Sequence, residues 1–316
     1  MKNEPIFLTP IFQERIWGGT KLQEVYEYEI PSNQTGECWA ISGHTHGQSI
    51  VSEGTYKGRT LGDLWHEYRF LFGNYESETF PLLTKILDAN DDLSVQVHPY
   101  DQYAKEFENG ELGKTECWYI IECEQDAEII IGHKAETKEE FIRLINNGQW
   151  DDLLHRVKIK PGDFFYVPSG TLHALCKGTL VLETQQSSDR TYRVYDYNRR
   201  DQNGQLRDLH LKKAIDVTTV PHNFDEKKPE IISSDGVTIT TFVKEQYFSV
   251  YKWDIHSGLD MTQDQPFIII SVIEGDGVLK MKNDSYKIHK GHHFILPHQL
   301  GAFTIEGTTT LIVSHP

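Results

Sequence analysis

The stretch Leu93-Ser-Val-Gln-Val-His-Pro99 alternates strictly between apolar and polar positions. Such alternation predicts a strand with Ser94, Gln96 and His98 on one face and Val95 and Val97 on the other. Similar strand-like segments recur over residues 128–131, 163–167, 179–183, 237–243, 248–253 and 267–272. They are rich in β-branched and aromatic residues and are punctuated by Gly, Pro and Asp turns. Many short strands with this punctuation predict a sandwich or barrel. Helical spacing is confined to the first two thirds. Thr60-Leu-Gly-Asp63 and Thr137-Lys-Glu-Glu140 have capping-box spacing ahead of apolar runs at residues 61–72 and 141–154, and a third helix is predicted over residues 99–108. The polar, proline-bearing stretch 221–236 reads as a connection between a first half, 1–220, and a second half, 221–316.

Two blocks repeat. Gly162-x5-Pro168-x-Gly170-x2-His173 is a turn, a strand, a second turn and a histidine opening the next strand. Gly291-x5-Pro297 repeats its first part, and Ala302 stands where His173 would be. Residues 119–124 pair in the same way with residues 269–274, and the helical segment 137–154 lies between the blocks of the first copy only. This reads as an internal duplication with a helical insertion in its first copy. His292, His293 and His298 fall out of register with His173 and are assigned structural or surface roles. The first copy matches the second cupin motif in full. The predicted fold is therefore mainly β, two cupin (jelly-roll barrel) domains with a few short helices in the first.

Three polar side chains aimed into a barrel are costly unless something satisfies them. Glu116 lies in Lys114-Thr-Glu-Cys-Trp118, where Lys114 and Glu116 share a strand face, and His173 comes from the turn motif. A lone histidine is more often a satisfied core or surface residue. Two histidines, a carboxylate and a glutamine oxygen together point to a metal site. The same two-His-one-carboxylate set suits non-haem Fe(II) oxygenases, although Gln96 would fill a position that O2 chemistry needs open.

Composition narrows the partners. The 316 residues carry a net charge of -16 with the lysines and arginines scattered, which opposes binding to nucleic acid or anionic lipid. No apolar run is long enough to span a bilayer. The first ten residues do not read as an export signal, and the four cysteines show no zinc-type or redox spacing, so a cytoplasmic location is expected.

Taken in order, Trp17-Gly18, Glu37-Cys-Trp-Ala-Ile-Ser-Gly43, Pro81-Leu-Leu-Thr-Lys-Ile-Leu87, Leu93 to Pro99, Lys114 to Trp118, Pro168-Ser-Gly-Thr-Leu-His173 and Gln186-Ser-Ser-Asp-Arg-Thr-Tyr-Arg-Val-Tyr-Asp-Tyr197 resemble type I mannose-6-phosphate isomerase in its shorter bacterial form. The likeness covers most of the first 200 residues and is loose over the last 100. It implies one zinc per chain at Gln96, His98, Glu116 and His173, and a sugar phosphate as substrate. It also implies interconversion of mannose 6-phosphate and fructose 6-phosphate through an enediol. Arg193 is the implied catalytic residue, with Asp189 as a supporting partner and Lys114 nearby. Lys114 and Arg193 would also contact substrate, as would Ser94. A cupin oxygenase and a non-catalytic sugar-binding cupin are the alternatives, and the general base stays open among Lys114, Asp189, His98 and a metal-bound hydroxide. The helical domain of longer relatives is here cut down to residues 137–154.

Overall fold

A computed structural model describes residues 4–200, 204–224 and 227–316. It is mainly β, as the alternation predicts, and of cupin type, as the motif over residues 162–173 implies. In the first half two antiparallel sheets pack face to face. One carries, in order, Phe164–Val167, Glu116–Cys123, Thr179–Gln186, Leu82–Ala89, Thr35–His44 and Ile11–Gly19, with Gly47–Gln48 paired onto Thr35–His44. The other carries Leu154–Lys158, Glu128–His133, His173–Leu175, Val95–Val97 and Tyr192–Tyr195. Between them Leu87, Trp118 and Val181 of the first sheet meet Ile129 and Leu175 of the second.

The outer face of the five-stranded sheet explains the alternation of residues 93–99. Val95 and Val97 are fully buried there against Phe141, Leu144, Leu153, Ala214 and Val217 of three helices, Lys138–Asn146, Trp150–Leu153 and Leu211–Val217. With the valines committed to that side, Ser94, Gln96 and His98 face the other sheet. Thr137 caps its helix by accepting from the Glu140 N–H, but the Glu140 carboxylate bonds to Glu136 N, so only half of the expected box forms. The Thr60 box closes in both directions over Leu61–Glu67. The third expected helix is Asp101–Phe107, while Lys21–Tyr26 and Leu211–Val217 were not anticipated.

The second half is a ten-stranded sheet that includes two strands from the start of the chain. Ile6–Thr9 pairs with His293–Leu296 on one side and Ile50–Val51 on the other. The expected connection 221–236 is not all loop: Glu230–Ser234 forms the edge strand of this sheet, and residues 225 and 226 lie outside the described residues. A shared core of Ile41, Trp65, Phe72 and Phe80 with Phe248, Phe267, Ile295 and Ile312 joins the two halves. Each such side chain contributes about 1.5–3 kcal/mol by leaving water.

The repeated blocks adopt the same device. Gly162 (φ 91°) and Gly291 (φ 86°) turn the chain in the left-handed region that glycine tolerates. The strands that follow, Phe164–Val167 and His293–Leu296, pair antiparallel with Glu116–Cys123 and Ile268–Lys280. Phe164 faces Tyr119, whereas His293 faces Ser271, so the registers differ by two residues from the sequence correspondence. A shift of two preserves which side chains point inward.

Candidate metal centre and its cavity

The two sheets bring His98, Glu116 and His173 together, and one donor atom from each lies within 4.8 Å of the others. All three residues are at most 1% exposed. Backbone pairing sets the convergence: His173 sits opposite Gln96 in adjacent strands, and Arg193 sits opposite Gln96 on its other side. Glu116 enters from the facing sheet.

Second contacts fix the imidazole tautomers. His98 Nδ1–H donates to the Arg190 carbonyl at 2.8 Å, and His173 Nδ1–H donates to the Thr171 carbonyl at 2.8 Å. Each ring thereby turns a lone-paired Nε2 toward the carboxylate, 3.3 Å from Glu116 Oε2 for His98 and 3.4 Å from Oε1 for His173. This is the tautomer that ligates metals. Burial, and then the neighbouring Lys114 charge, pushes His98 down to about 3, and burial likewise lowers His173, so both rings are neutral at pH 7. Burial alone would raise the Glu116 carboxyl, but the adjacent Lys114 charge outweighs it and holds the carboxyl well below its ordinary value. Neither Glu116 oxygen accepts a well-aligned hydrogen bond among the described residues. A buried carboxylate left in that condition beside two neutral imidazoles fits a divalent cation.

The remaining residues expected at the site take up different positions. Gln96 lines the cavity with Nε2 3.4 Å from His173 Nε2 and Oε1 3.4 Å from Ser94 Oγ. A half-turn of the amide presents its oxygen to the cluster instead. Lys114 is buried, with Nζ 2.7 Å from Glu116 Oε2 and 3.1 Å from His98 Nε2. Its pKa is raised: burial lowers it, but Glu116 and Glu183 more than compensate. Asp189 does not support Arg193 as expected; its carboxylate bonds to His46 Nδ1 at 2.5 Å. The Arg193 guanidinium instead donates to the Asp208 carbonyl at 2.8 Å.

These groups line a cavity of about 520 Å³. Its floor is a run of alternating charges. Arg15 pairs with Glu37 at 2.8 Å, Glu37 with Lys85 at 3.6 Å, Lys85 with Glu183 at 3.9 Å, and Glu183 with Lys114 at 3.8 Å. At the rim, Arg190 pairs with Glu111, Arg207 with Asp196, and Lys213 with Glu108. Among the described residues, Arg193 is the one lining cation with no carboxylate within 4 Å, and its Nε is buried without a partner. The lining carboxylates also divide. Burial raises Glu37, Glu108 and Asp189, but cationic and hydrogen-bonding neighbours outweigh it and hold all three low, Glu37 at about 2. Glu183 is held above its ordinary value by burial and by Glu116.

Glu183, Lys85 and His46 were not singled out in the sequence. For Lys85 and Glu183 a signal existed: Lys85 lies between Leu82-Leu83 and Ile86-Leu87, and Glu183 follows the apolar run Leu180-Val-Leu182, where a buried charge needs a partner. His46 carried no such signal.

No helix among the described residues is long and apolar enough to cross a membrane. The family model described as phosphomannose isomerase type I, catalytic domain, matches residues 6–121, and that of the mannose-6-phosphate isomerase cupin domain matches residues 238–316. The mannose-6-phosphate isomerase ManA of Bacillus subtilis is 56% identical over 315 residues, 100% of both chains. The crystal structure of the mannose 6-phosphate isomerase from Bacillus subtilis has 60% identity and a TM-score of 0.97 over 99% of each chain. A zinc-bound mannose 6-phosphate isomerase shares the fold at a TM-score of 0.79 and 17% identity, over 98% of this chain and 99% of its own. With near-complete overlap at this identity and the cation-ready cluster where the two sheets meet, the chain belongs to the type I mannose-6-phosphate isomerase family.

Proposed function

We propose that the chain is a zinc-dependent aldose–ketose isomerase that interconverts mannose 6-phosphate and fructose 6-phosphate. The observation that carries this is the pair of buried, neutral histidines whose Nε2 atoms converge on the buried Glu116 carboxylate in a cavity holding one arginine, Arg193, with no carboxylate partner among the described residues. One zinc per chain would be held by Gln96 Oε1, His98, Glu116 and His173. Bound there, it supplies Lewis-acid polarisation of a substrate oxygen.

The other roles belong to the chain itself. Isomerisation moves a proton from C2 to C1 through an enediol, so a base must accept the C2 proton and return it. Glu183 is the lining carboxylate held above its ordinary value, which brings it toward the working pH that general base catalysis favours. Lys114, 3.8 Å from Glu183 and buried beside Glu116, keeps a positive charge next to the developing oxyanion. Arg193 cannot give up its proton and has no carboxylate to neutralise it, so it takes the substrate's negative charge, phosphate or enediolate. Ser94, buried beside Gln96, donates to a substrate hydroxyl. Asp189 acts through His46 and not through Arg193. The chemistry lies in residues 1–220; the metal-capable clusters found among the described residues fall there, and the half 221–316 is read as metal-free.

The test is a coupled assay for fructose 6-phosphate formed from mannose 6-phosphate, with elemental analysis. Turnover is expected to disappear on chelation and to return with one equivalent of zinc. Full turnover in chelator-stripped protein would sink the metal-dependent reading.

A further inference from the structure

A second group of potential ligands borders the same cavity. Thr35–His44 and Gly47–Gln48 form a tight hairpin, with His44 opposite Gly47 and His46 at the turn. Asp189 approaches from the segment after Thr179–Gln186. One donor atom from each of His44, His46 and Asp189 lies within 4.8 Å of the other two. We propose that these three residues form a second, exchangeable site for a zinc-type divalent cation at the edge of the cavity.

Two of the three donors are positioned in advance. His44 is 8% exposed; its ring packs edge-on against Trp39 and its N–H donates to Ser42 Oγ. His44 Nδ1 accepts the His46 backbone N–H at 3.2 Å, and a cation bound at this imidazole takes the place of that hydrogen bond. Asp189 follows Ser188, whose carbonyl accepts from the buried Gln185 amide at 2.5 Å. His46 is the adjustable donor, with 56% of its side chain exposed. Its Nδ1 lies 2.5 Å from Asp189 Oδ2, a hydrogen-bond spacing. Zinc bonds of about 2.0–2.1 Å would hold tetrahedral donors roughly 3.3 Å apart. The imidazole must therefore back off by roughly 1 Å, which its exposure permits, and the proton shared with Asp189 is released.

The charge states suit a cation. Burial keeps His44 neutral by lowering its pKa. Burial would raise Asp189, but the His46 hydrogen bond, with Lys85 nearby, prevails and holds the carboxyl below its ordinary value. Two imidazoles and one carboxylate select zinc or cobalt over magnesium or calcium, which prefer oxygen donors. The net charge of -16 raises the local concentration of any cation. These ligands are separate from His98, Glu116 and His173, so the two sites can be loaded and counted apart.

The experiment is equilibrium dialysis of the holoenzyme, loaded with one equivalent of zinc, against further Zn2+ or Co2+, with metal content measured directly. Wild type is expected to take up a second equivalent, to give ligand-field absorption with Co2+ and to ignore Mg2+. His46→Asn and Asp189→Asn are each expected to keep the first equivalent and to weaken the second at least tenfold. A wild-type holoenzyme that binds one equivalent only, or a His46→Asn protein that binds the second as tightly as wild type, overturns the proposal and leaves His46 and Asp189 as a hydrogen-bonded pair. Loss of the first equivalent in wild type would instead count against the centre at His98, Glu116 and His173.

Discussion

The two halves use one backbone device to opposite ends. In each, a glycine-led turn opens a short strand, and a second turn begins the next. In the first half that next strand opens with His173, 1% exposed and aimed at Glu116. In the second half it opens at Gly301, and exposed Ala302 occupies the corresponding place. What surrounds each position differs just as sharply. The first interior holds Lys85, Glu116, Glu183, His98 and His173, whereas the second is packed with Phe7, Ile270, Phe294, Leu296, Phe303 and Leu311. A turn motif thus positions a side chain, and the facing sheet decides whether that position becomes a site.

This contrast can be broken first at the ligands. Ala at His98, Glu116 or His173 should abolish uptake of the first equivalent of zinc and reduce turnover by more than the roughly 10–100-fold typical of losing a mere outer partner; elemental analysis and the coupled assay check both. Arg193→Ala should cost roughly 10²–10³ in kcat/KM with metal content unchanged, while Arg193→Lys recovers only part of the loss. A steady-state comparison of the three proteins decides it.

In the second half the expected cost is to stability. Phe294→Ala should destabilise by about 3–5 kcal/mol by opening a cavity, read by denaturant unfolding, and should leave metal stoichiometry at its wild-type value. His293 offers an effect that grows only as the pH falls. Burial and the neighbouring His292 push it down to about 3, and it is held between Tyr28 Oη and Ser271 Oγ. Its folded pKa is below its unfolded one, so the unfolded chain binds the extra proton. Stability should therefore fall as pH drops below about 6.5, with a slope on the order of 1.4 kcal/mol per pH unit until the folded pKa is reached. His293→Gln should flatten the dependence of the unfolding midpoint over that window. The smallest effect is expected from Ala302→His. It restores the motif's histidine without Glu116 or His98 equivalents, so metal content should not rise, and stability should move by no more than about 0.5 kcal/mol at this exposed position.

Much of this was legible along the chain because it depends on local periodicity. The alternation at residues 93–99 assigns faces once a strand is assumed, and Val95 and Val97 do pack under the helices. The turn preceding His173 is written in its glycines and prolines. Family resemblance, more than geometry, connected Arg193 to the site. The partner of Asp189 was read wrongly because spacing of four residues suggested Arg193, while the contact made is with His46, 143 positions away.

By itself the sequence determined the strand-rich architecture, the inward faces of residues 94–98 and the turn that leads into His173. These follow from side-chain period and turn chemistry, both short-range. Only the tertiary structure decided that Ile6–Thr9 completes the sheet of the far half, that Glu183 and Lys85 join the cavity floor, and that His46 meets Asp189. Such contacts depend on which strands become neighbours across the two facing sheets, and that pairing is set by global packing, which no local pattern encodes.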